Sequence, residues 1–267
     1  MFIISCKDQA EVVKNHLVNT KTAHLHIICN NSQAGDRYVR NKCKVAKECN
    51  IIPHCHRLED TSFGAVKDLI DKIEQSEEVG PIIIQLPFSS FVDNHLDKLI
   101  PSYLDADGLT KNAHVTPATA EGIFEILRVN SLISGKHIVV IGRSKLVGKP
   151  LVKKLLETNA TVTLCHSRTK DIKSITRTAD VIVVAVGIPN FITKEYIDES
   201  KPVHIVDVGI NVDYTGKMSG DVDPEIKSEN VFITPVPGGV GLLTTAYLMV
   251  NTHFLNKHDI LFKQNSV

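Results

Sequence analysis

The stretch "VVIGRSKLVGKP", residues 139 to 150, has the pattern of a buried strand, a glycine loop and the start of a helix. Gly142 ends the apolar run, and Gly148 falls where the helix would begin. The backbone amides between them, including that of Ser144, would then lie at the positive end of the helix, where a pyrophosphate binds. The pattern favours a dinucleotide site. A plain strand-to-helix turn would also account for a Gly-x-Ser-x-x-x-Gly run.

The end of the next strand indicates which dinucleotide is bound. NAD-binding proteins place an Asp or Glu about 20 residues beyond the glycine loop, where it receives the ribose hydroxyls. This chain has His166, Ser167 and Arg168 at that place, and the first carboxylate comes only at residue 171. Hydroxyl and guanidinium groups suit a 2′-phosphate. We therefore predict that Arg143 and Ser167 recognise NADP.

Strands alternate with helical segments along the rest of the chain, which is the pattern of a parallel sheet with crossover helices. Apolar, β-branched runs predict strands at residues 24–29, 51–58, 81–87, 137–142, 161–166, 181–187 and 204–209. The predicted fold is α/β, with two α/β domains around a cleft, the second of them a Rossmann-type NADP-binding domain with a parallel sheet. We place the first domain at residues 1–115 and the second at 116–240, with a helix at 240–257 that packs back onto the first.

Composition excludes several classes of partner. Thirty basic residues balance thirty acidic ones in 267, so no overall field attracts nucleic acid or an anionic membrane. The N-terminal "MFIISCKDQ" has no basic leader, and no apolar stretch approaches the roughly 18 residues that a membrane span needs. We expect a cytoplasmic protein with a small-molecule partner. Its six cysteines follow no scaffold spacing and are expected to be reduced thiols.

The nearest approach to a metal-binding cluster is formed by Cys49, His54, Cys55 and His56. On a strand, His54 and His56 would share one face while Cys55 points to the other, which is poor tetrahedral geometry. A half-exposed strand explains these residues better, so we predict no metal site.

The first half of the chain carries a second candidate constellation. Tyr38 and Lys42 are four residues apart and would share one face of a helix. Tyr-x-x-x-Lys is the catalytic pair of short-chain dehydrogenases, but there it follows the glycine loop, whereas here it precedes it; a solvated amphipathic helix is the alternative. Gln85 interrupts the apolar run "PIIIQLPF", either as a core amide or at a ligand crevice, and Asp107 lies in "DADGLT".

Eight strings between residues 36 and 252 occur in the order typical of the methylenetetrahydrofolate dehydrogenase/cyclohydrolase family, which this chain resembles. They are "YVRNK", "IIIQLP", "DADGLT", "VVIGRSKLVGKP", "VTLCHSRT", "VDVGIN", "GDVD" and "TPVPGGVG". The resemblance implies NADP-dependent oxidation of 5,10-methylenetetrahydrofolate and hydrolysis of the methenyl product to 10-formyltetrahydrofolate. A fold-retaining nucleotide- or folate-binding protein, or an enzyme with one of the two activities, is the alternative.

The same resemblance implies roles for particular residues. Lys42 matches the family's catalytic lysine, Tyr38 stacks on or orients the folate, and Gln85 holds and tunes the lysine. Asp107 matches the carboxylate that hydrogen-bonds the pterin edge. The backbone at Gly209 and Ile210 would flank the nicotinamide, and that at Pro237, Gly238 and Gly239 would flank the folate. The resemblance also implies a homodimer.

Three departures from the family pattern affect the predicted folate pocket. The family commonly has "PCTP" where this chain has "PATA" at residues 117–120, and Pro-Met where it has Leu242 and Leu243. Only "KNAHV" separates "DADGLT" from "TPATA", where relatives carry a longer loop. A proline at the first position of the last helix would fix φ, so Leu242 is expected to leave the preceding turn less rigid and folate more loosely bound.

Overall fold

The computed structural model describes residues 2–31 and 33–264, with only the backbone described at 33, 34 and 258–264. The chain forms two compact units. Unit 1 comprises Met1–Ala10 and Thr119–Thr244, and unit 2 comprises Glu11–Ala118 and Thr245–Val267. Among the described residues, no helix has the length and apolar character required to cross a bilayer.

Unit 1 is built on a six-stranded sheet in the order β1-β11-β8-β7-β5-β6, in which every neighbouring pair is parallel. Its strands are β1 Phe2–Ile3, β5 His137–Ile141, β6 Thr161–Cys165, β7 Val181–Val184, β8 Val203–Asp207 and β11 Val231–Ile233, beside a small antiparallel pair, β9 Asn211–Val212 and β10 Met218–Ser219. Its helices are α6 Ala118–Val129, whose first residue belongs to unit 2, α7 Gly148–Leu156 and α8 Ile172–Arg177.

The central strands of unit 1 explain its burial. All four residues of β7 are buried, and so are the last four of β5. Runs of Val and Ile suit strands that are covered on both faces, and their apolar side chains form one core cluster with those of β8. The polar side chains of this region are thereby confined to the strand ends, where the candidate cofactor site lies.

Unit 2 is built on a three-stranded parallel sheet in the order β3-β2-β4. Its strands are β2 Ala23–Cys29, β3 Ile51–Arg57 and β4 Ile82–Ile84, and its helices are α2 Gln33–Glu48, α3 Phe63–Glu74, α4 Ser90–Asn94 and α5 Leu96–Leu99. Two helices continue beyond it: α1 Lys7–Leu17 begins in unit 1, and α9 Val240–Gln264 begins there too. One face of the sheet packs in a core cluster that includes residues of α2 and α9, and the other in a cluster that includes residues of α3.

The α/β class and the parallel Rossmann-type sheet predicted from the sequence are confirmed. The strand at the N-terminus differs from the prediction, because residues 2–3 were assigned to the first domain but join the six-stranded sheet of unit 1. Phe2 pairs with Phe232 across the β1–β11 ladder, and their rings stack at 5.1 Å between centroids. A two-residue strand whose partner lies near the opposite end of the chain has no signature of its own in the sequence.

Candidate active site

Two glycines shape the loop after β5. Gly142 has a φ of +113°, and a methyl group added there would lie 2.2 Å from the carbonyl oxygen of Ala185. A methyl group on Gly148, the first residue of α7, would lie 1.9 Å from the carbonyl oxygen of Gly142. Both positions therefore require glycine. The Ser144 hydroxyl accepts a hydrogen bond from the Val147 amide at 3.1 Å, which holds the loop as a compact turn before the helix.

A cavity of about 650 Å³ lies at the carboxyl ends of three neighbouring parallel strands, β7, β5 and β6. Gly142, Arg143 and Ser167 line it, so the structure brings together two of the side chains that the sequence predicted to recognise the cofactor. The side chains of Arg143 and Ser167 are exposed and can reach a ligand. This crevice at the strand ends is where open α/β sheets bind dinucleotides.

The far wall of this cavity was missed from the sequence. Lys173 and Tyr196 line it, and the Lys173 ammonium lies 5.5 Å from the centroid of the Tyr196 ring. Lys173 also forms an ion pair with Glu195. These residues lie in α8 and in a single helical turn beyond β7, and no motif in either segment indicates a ligand.

Two buried aspartates organise the loops beyond β7 and β8. Asp221 accepts hydrogen bonds from the backbone amides of Val186 and Gly187 at 2.8 and 2.9 Å. Asp207 accepts one from the Asp221 amide at 2.9 Å and one from Gly209, also at 2.9 Å. The two carboxylates thus fix the backbone on both sides of the strand ends. The sequence prediction included these aspartates in its strings but gave them no role.

The buried environment of Asp207 disfavours the charged form of its carboxyl group. Burial raises the pKa of its carboxyl group to about 6, against the opposing effect of the backbone amides that donate to it. A methyl group on Gly220 would lie 1.8 Å from an oxygen of Asp207, so position 220 must also be glycine. The neighbouring Ile210, predicted to flank the nicotinamide, has 47% of its surface exposed, and its backbone follows directly on this fixed segment.

The segment "PVPGG" forms a tight turn before the last helix of the chain. Gly238 has a φ of +95°, and a methyl group on Gly239 would lie 2.2 Å from the carbonyl oxygen of Pro235. Helix α9 begins at Val240, so Leu242 is its third residue and not its first as the sequence analysis assumed. The Leu242 amide donates to the Gly239 carbonyl at 3.1 Å, a bond that a proline at this position could not make.

In unit 2, the structure brings Lys42 and Gln85 into direct contact. The Lys42 ammonium donates to the Gln85 side-chain oxygen at 3.0 Å, and the Gln85 amide group donates to the Leu86 carbonyl at 2.8 Å. Gln85 directly follows β4, and Lys42 lies on α2, one turn beyond Tyr38. The side chains of Lys42 and Gln85 are half-buried, while that of Tyr38 is exposed.

A buried carboxylate supports the turn that carries Asp107. Asp105 is fully buried and accepts hydrogen bonds from the amides of Gly108 and Thr110 at 3.0 and 2.7 Å. Asp105 also forms an isolated parallel β-bridge with Ile82 of β4. The turn therefore lies along the edge strand that Gln85 follows. Within the described part of the chain, no side-chain hydrogen bond occupies the half-buried Asp107 carboxylate, which leaves it available to a ligand. Burial raises the pKa of Asp105 to about 6.

These features define a class of protein: an α/β enzyme with a Rossmann-type dinucleotide-binding unit and a second unit that carries a lysine–glutamine pair. The model of the tetrahydrofolate dehydrogenase/cyclohydrolase NAD(P)-binding domain matches residues 117–259, and that of the catalytic domain of the same family matches residues 4–107. The chain belongs to this family. It is an enzyme of one-carbon folate metabolism with dehydrogenase and cyclohydrolase activities that act on tetrahydrofolate derivatives.

Individual relatives agree with this assignment. The chain is 41% identical to the bifunctional protein FolD of Caldicellulosiruptor saccharolyticus over 85% of its own length and 87% of that protein. The structure of this chain is similar to that of the bifunctional enzyme FolD from Campylobacter jejuni. The TM-score is 0.88 at 33% identity, and the match covers 97% of this chain and 99% of the other. The enzyme of Trypanosoma brucei, solved with NADP and an inhibitor, matches with a TM-score of 0.86 at 28% identity, over 97% and 98%.

The predictions of the family, of an enzyme with both activities and of a nicotinamide dinucleotide cofactor are confirmed by these comparisons. The roles of individual residues stay predictions. The family resemblance selected Asp107 from the string "DADGLT" but gave no role to Asp105, which supports the turn through the amides of Gly108 and Thr110.

Proposed function

We propose that this chain oxidises 5,10-methylenetetrahydrofolate with NADP and hydrolyses the methenyl product at a site that includes Lys42. The observation that supports this most strongly is the contact between the Lys42 ammonium and the Gln85 side-chain oxygen. Among the residues whose side chains are described, no carboxylate forms an ion pair with the half-buried Lys42, so its ammonium group is free of such a competitor for exchange of a proton with a substrate. Tyr38 lies one turn away on the same helix.

The first reaction requires positioning more than proton transfer. Hydride leaves a carbon between two nitrogens, which stabilise the resulting cation, so no general base is needed. The bound cofactor supplies the hydride acceptor. The residues of this chain hold the substrate: Asp107 accepts hydrogen bonds from the pterin edge, and the turn of Pro237, Gly238 and Gly239 contacts the folate.

The second reaction requires a proton carrier. Water must lose a proton as it attacks the methenyl carbon, and a ring nitrogen must be protonated as it leaves. Lys42 performs this transfer, and Gln85 orients its ammonium group by accepting from it. Removing the Gln85 oxygen would leave the lysine without its fixed direction.

The residues around the cavity of unit 1 fit a dinucleotide. The loop that contains Ser144 is exposed and leads into α7, and the start of a helix favours the pyrophosphate. Arg143 and Ser167 would hold the 2′-phosphate, Gly142 and Gly148 would allow the backbone to approach the cofactor, and Ile210 would contact the nicotinamide. A first domain that binds folate and a second that binds NADP follow from these assignments.

The test of both activities is one coupled assay. The purified chain is incubated with 5,10-methylenetetrahydrofolate and NADP, and the methenyl absorbance is followed as it rises and then decays. Formation and subsequent hydrolysis support the proposal. Binding without formation would instead identify a fold-retaining binding protein, and formation without accelerated decay an enzyme with the first activity alone.

Replacing Arg143 tests the choice of cofactor. A charge-assisted hydrogen bond contributes about 1.5 to 3 kcal/mol, so Arg143→Ala is expected to weaken NADP roughly ten- to a hundredfold and leave NAD almost unchanged. Arg177→Ala is the control, because Arg177 is exposed at the end of α8 and is not part of the cavity wall. A wild-type preference for NAD, or equal effects of the two substitutions, contradicts the assignment.

We also propose that the chain acts as a homodimer in the cytoplasm. The dimer rests on the family resemblance, and light scattering of the purified chain tests it. The cytoplasmic location is supported by the cysteines, all six of which are free thiols. Fractionation of cells that produce the chain checks the location.

A further inference from the structure

Four histidines form a ladder on one face of the sheet of unit 2. His24 and His26 lie on β2, and His54 and His56 lie on the neighbouring β3, with His26 directly opposite His54 in the register. Their rings stack across the strands, at 4.6 Å between the centroids of His26 and His54 and at 5.1 Å between those of His24 and His54. Alternate residues of a β-strand lie on the same face of the sheet, so the side chains of all four histidines lie on one face.

At one end of this ladder, three potential metal ligands converge. The Nδ1 atom of His24 lies 2.9 Å from the Nε2 atom of His54. An oxygen of Glu78 lies 3.7 Å from the other nitrogen of His54. One ligand atom from each of the three residues can be chosen so that all lie within 4.8 Å of one another. The cluster involves none of the residues assigned to catalysis or cofactor binding.

Hydrogen bonding alone leaves this cluster with unused lone pairs. A neutral imidazole carries one N–H, so the single proton between His24 and His54 can come from either ring. If His54 donates it through Nε2, the lone pair on its Nδ1 faces the Glu78 carboxylate. If His24 donates it, the second nitrogen of that ring keeps its lone pair. A cation bound through Nδ1 of His24 and Nε2 of His54 would displace the one proton that these two atoms share, and both nitrogens would then present lone pairs to the ion.

The remaining two histidines support the cluster. Nε2 of His26 donates to the backbone carbonyl of Glu78 at 2.9 Å and so holds the turn that carries the carboxylate. Nδ1 of His26 lies 2.9 Å from Nε2 of His56. Metal sites commonly depend on such outer hydrogen bonds to orient their ligands.

We propose that His24, His54 and Glu78 form a binding site for a divalent transition metal, with Zn²⁺ as the preferred ion. Two imidazoles and one carboxylate are a donor set that zinc uses with three protein ligands and an open fourth position. Zinc–nitrogen bonds of about 2.0 to 2.1 Å place two ligand nitrogens roughly 3.4 Å apart in a tetrahedral site, so the pair must separate by a few tenths of an ångström. The Glu78 side chain is 66% exposed and can move to close the site.

The absence of a metal site was predicted from donors in one contiguous stretch of the sequence, from Cys49 to His56. Cys55 does lie on the opposite face of β3, where its sulfur is 2.8 Å from that of Cys43. The ligand that completes the histidine set comes instead from β2, about 30 residues away along the chain, and from the turn after α3. That arrangement becomes visible only once the register of β2 and β3 is known.

Cobalt titration tests the site with an ion whose visible absorption reports its geometry. The wild-type chain is expected to bind one equivalent of Co²⁺ with the strong visible bands of a tetrahedral site, and Zn²⁺ should displace it. His54→Asn and Glu78→Gln should each weaken binding at least about tenfold, the lower end of the loss seen when metal sites lose a supporting group. Glu78→Gln changes an exposed turn, so it remains informative if His54→Asn fails to fold.

Two further variants serve as controls. His204→Gln removes a half-buried strand histidine from unit 1, and it should bind the metal as the wild type does. Cys55→Ser removes the competing thiol pair and should also leave the affinity unchanged. A near-ultraviolet thiolate-to-cobalt band that disappears in Cys55→Ser, or equal affinities for the wild type and Glu78→Gln, would overturn the proposal.

Thermal unfolding gives a second readout that does not depend on enzymatic activity. A ligand that binds only the folded state raises the Tm by an amount that grows with the ratio of its free concentration to its Kd. Excess Zn²⁺ should therefore raise the Tm of the wild type and of His204→Gln, and raise it less in Glu78→Gln. An equal rise in all three would mean that the ion acts elsewhere on the chain.

Discussion

The two units build their candidate sites from different parts of the polypeptide. In unit 1 the backbone forms the site: Gly142, Gly148 and Gly239 sit where an added methyl group would lie within 2.2 Å of a carbonyl oxygen. In unit 2 side chains form it, through the contact between Lys42 and Gln85. A site made of backbone tolerates almost no added atom, whereas a site made of side chains depends on the chemistry of one or two groups.

The largest expected effect comes from removing the lysine. Lys42→Met keeps most of the aliphatic stem but removes the proton carrier, and the loss of a general acid or base typically costs about 10² to 10⁴-fold. Hydrolysis of the methenyl substrate should fall by this factor, whereas hydride transfer, which needs no proton, should persist in part. Separate assays of the two reactions measure the difference.

The matched control for this substitution lies on the same helix. Lys44 has a side chain that is 76% exposed, at 3.8 Å from Glu48, and Lys44→Met should leave both rates close to those of the wild type. Equal losses of both reactions in Lys42→Met would show that the lysine mainly positions the folate.

A single methyl group tests the backbone-built site of unit 1. Gly142→Ala forces a side chain into a left-handed conformation and against the Ala185 carbonyl, a strain of about 1 to 3 kcal/mol or more. NADP should bind about ten- to a hundredfold more weakly, as isothermal titration calorimetry can measure. The Tm should fall as well.

The control for Gly142 is Gly64→Ala in α3. No heavy atom lies within 4 Å of a methyl group at that position, so alanine should be neutral there or stabilise the helix by up to about 1 kcal/mol. Unchanged NADP binding in Gly142→Ala would mean that the loop after β5 can rearrange without loss of affinity. The contrast between a site made of backbone and a site made of side chains would then not hold.

The same contrast explains what the sequence could predict. Residues that shape a backbone loop are contiguous, so "VVIGRSKLVGKP" indicated both the fold of unit 1 and its ligand. Lys42 and Gln85 are 43 residues apart, and only their occurrence within an ordered set of family strings connected them. The supporting carboxylates of Asp105 and Asp207 were not predicted, because their role depends on burial and on amides that fold around them.

Those supporting carboxylates should make stability depend on pH. The folded-state pKa of Asp105 is raised by burial from 3.8 to about 6. Its contribution to stability is therefore complete below about pH 4 and is lost as the pH rises through about 6. The free energy of unfolding of Asp105→Asn, relative to that of the wild type, should increase by on the order of 2 kcal/mol between pH 4 and pH 7.

Urea unfolding followed by circular dichroism at several pH values measures this difference. Asp68→Asn, which changes an exposed carboxylate of α3, should show no comparable trend relative to the wild type. A constant difference between Asp105→Asn and the wild type over this range would mean that the backbone amides fully offset the cost of burying the charge.

The smallest expected effect is at the start of α9, where relatives carry proline. Fixing φ at Leu242 could contribute up to about 1 kcal/mol by restricting the unfolded chain. The Leu242 amide, however, donates to the Gly239 carbonyl, and losing such a bond costs about 0.5 to 1.5 kcal/mol. These contributions nearly cancel, so Leu242→Pro should change the Tm little and leave the KM for methylenetetrahydrofolate within about twofold of the wild type. Leu242→Ala, which keeps the amide and does not fix φ, is the control. A several-fold fall in this KM for the proline variant alone would show that a rigid first turn of α9 governs folate binding.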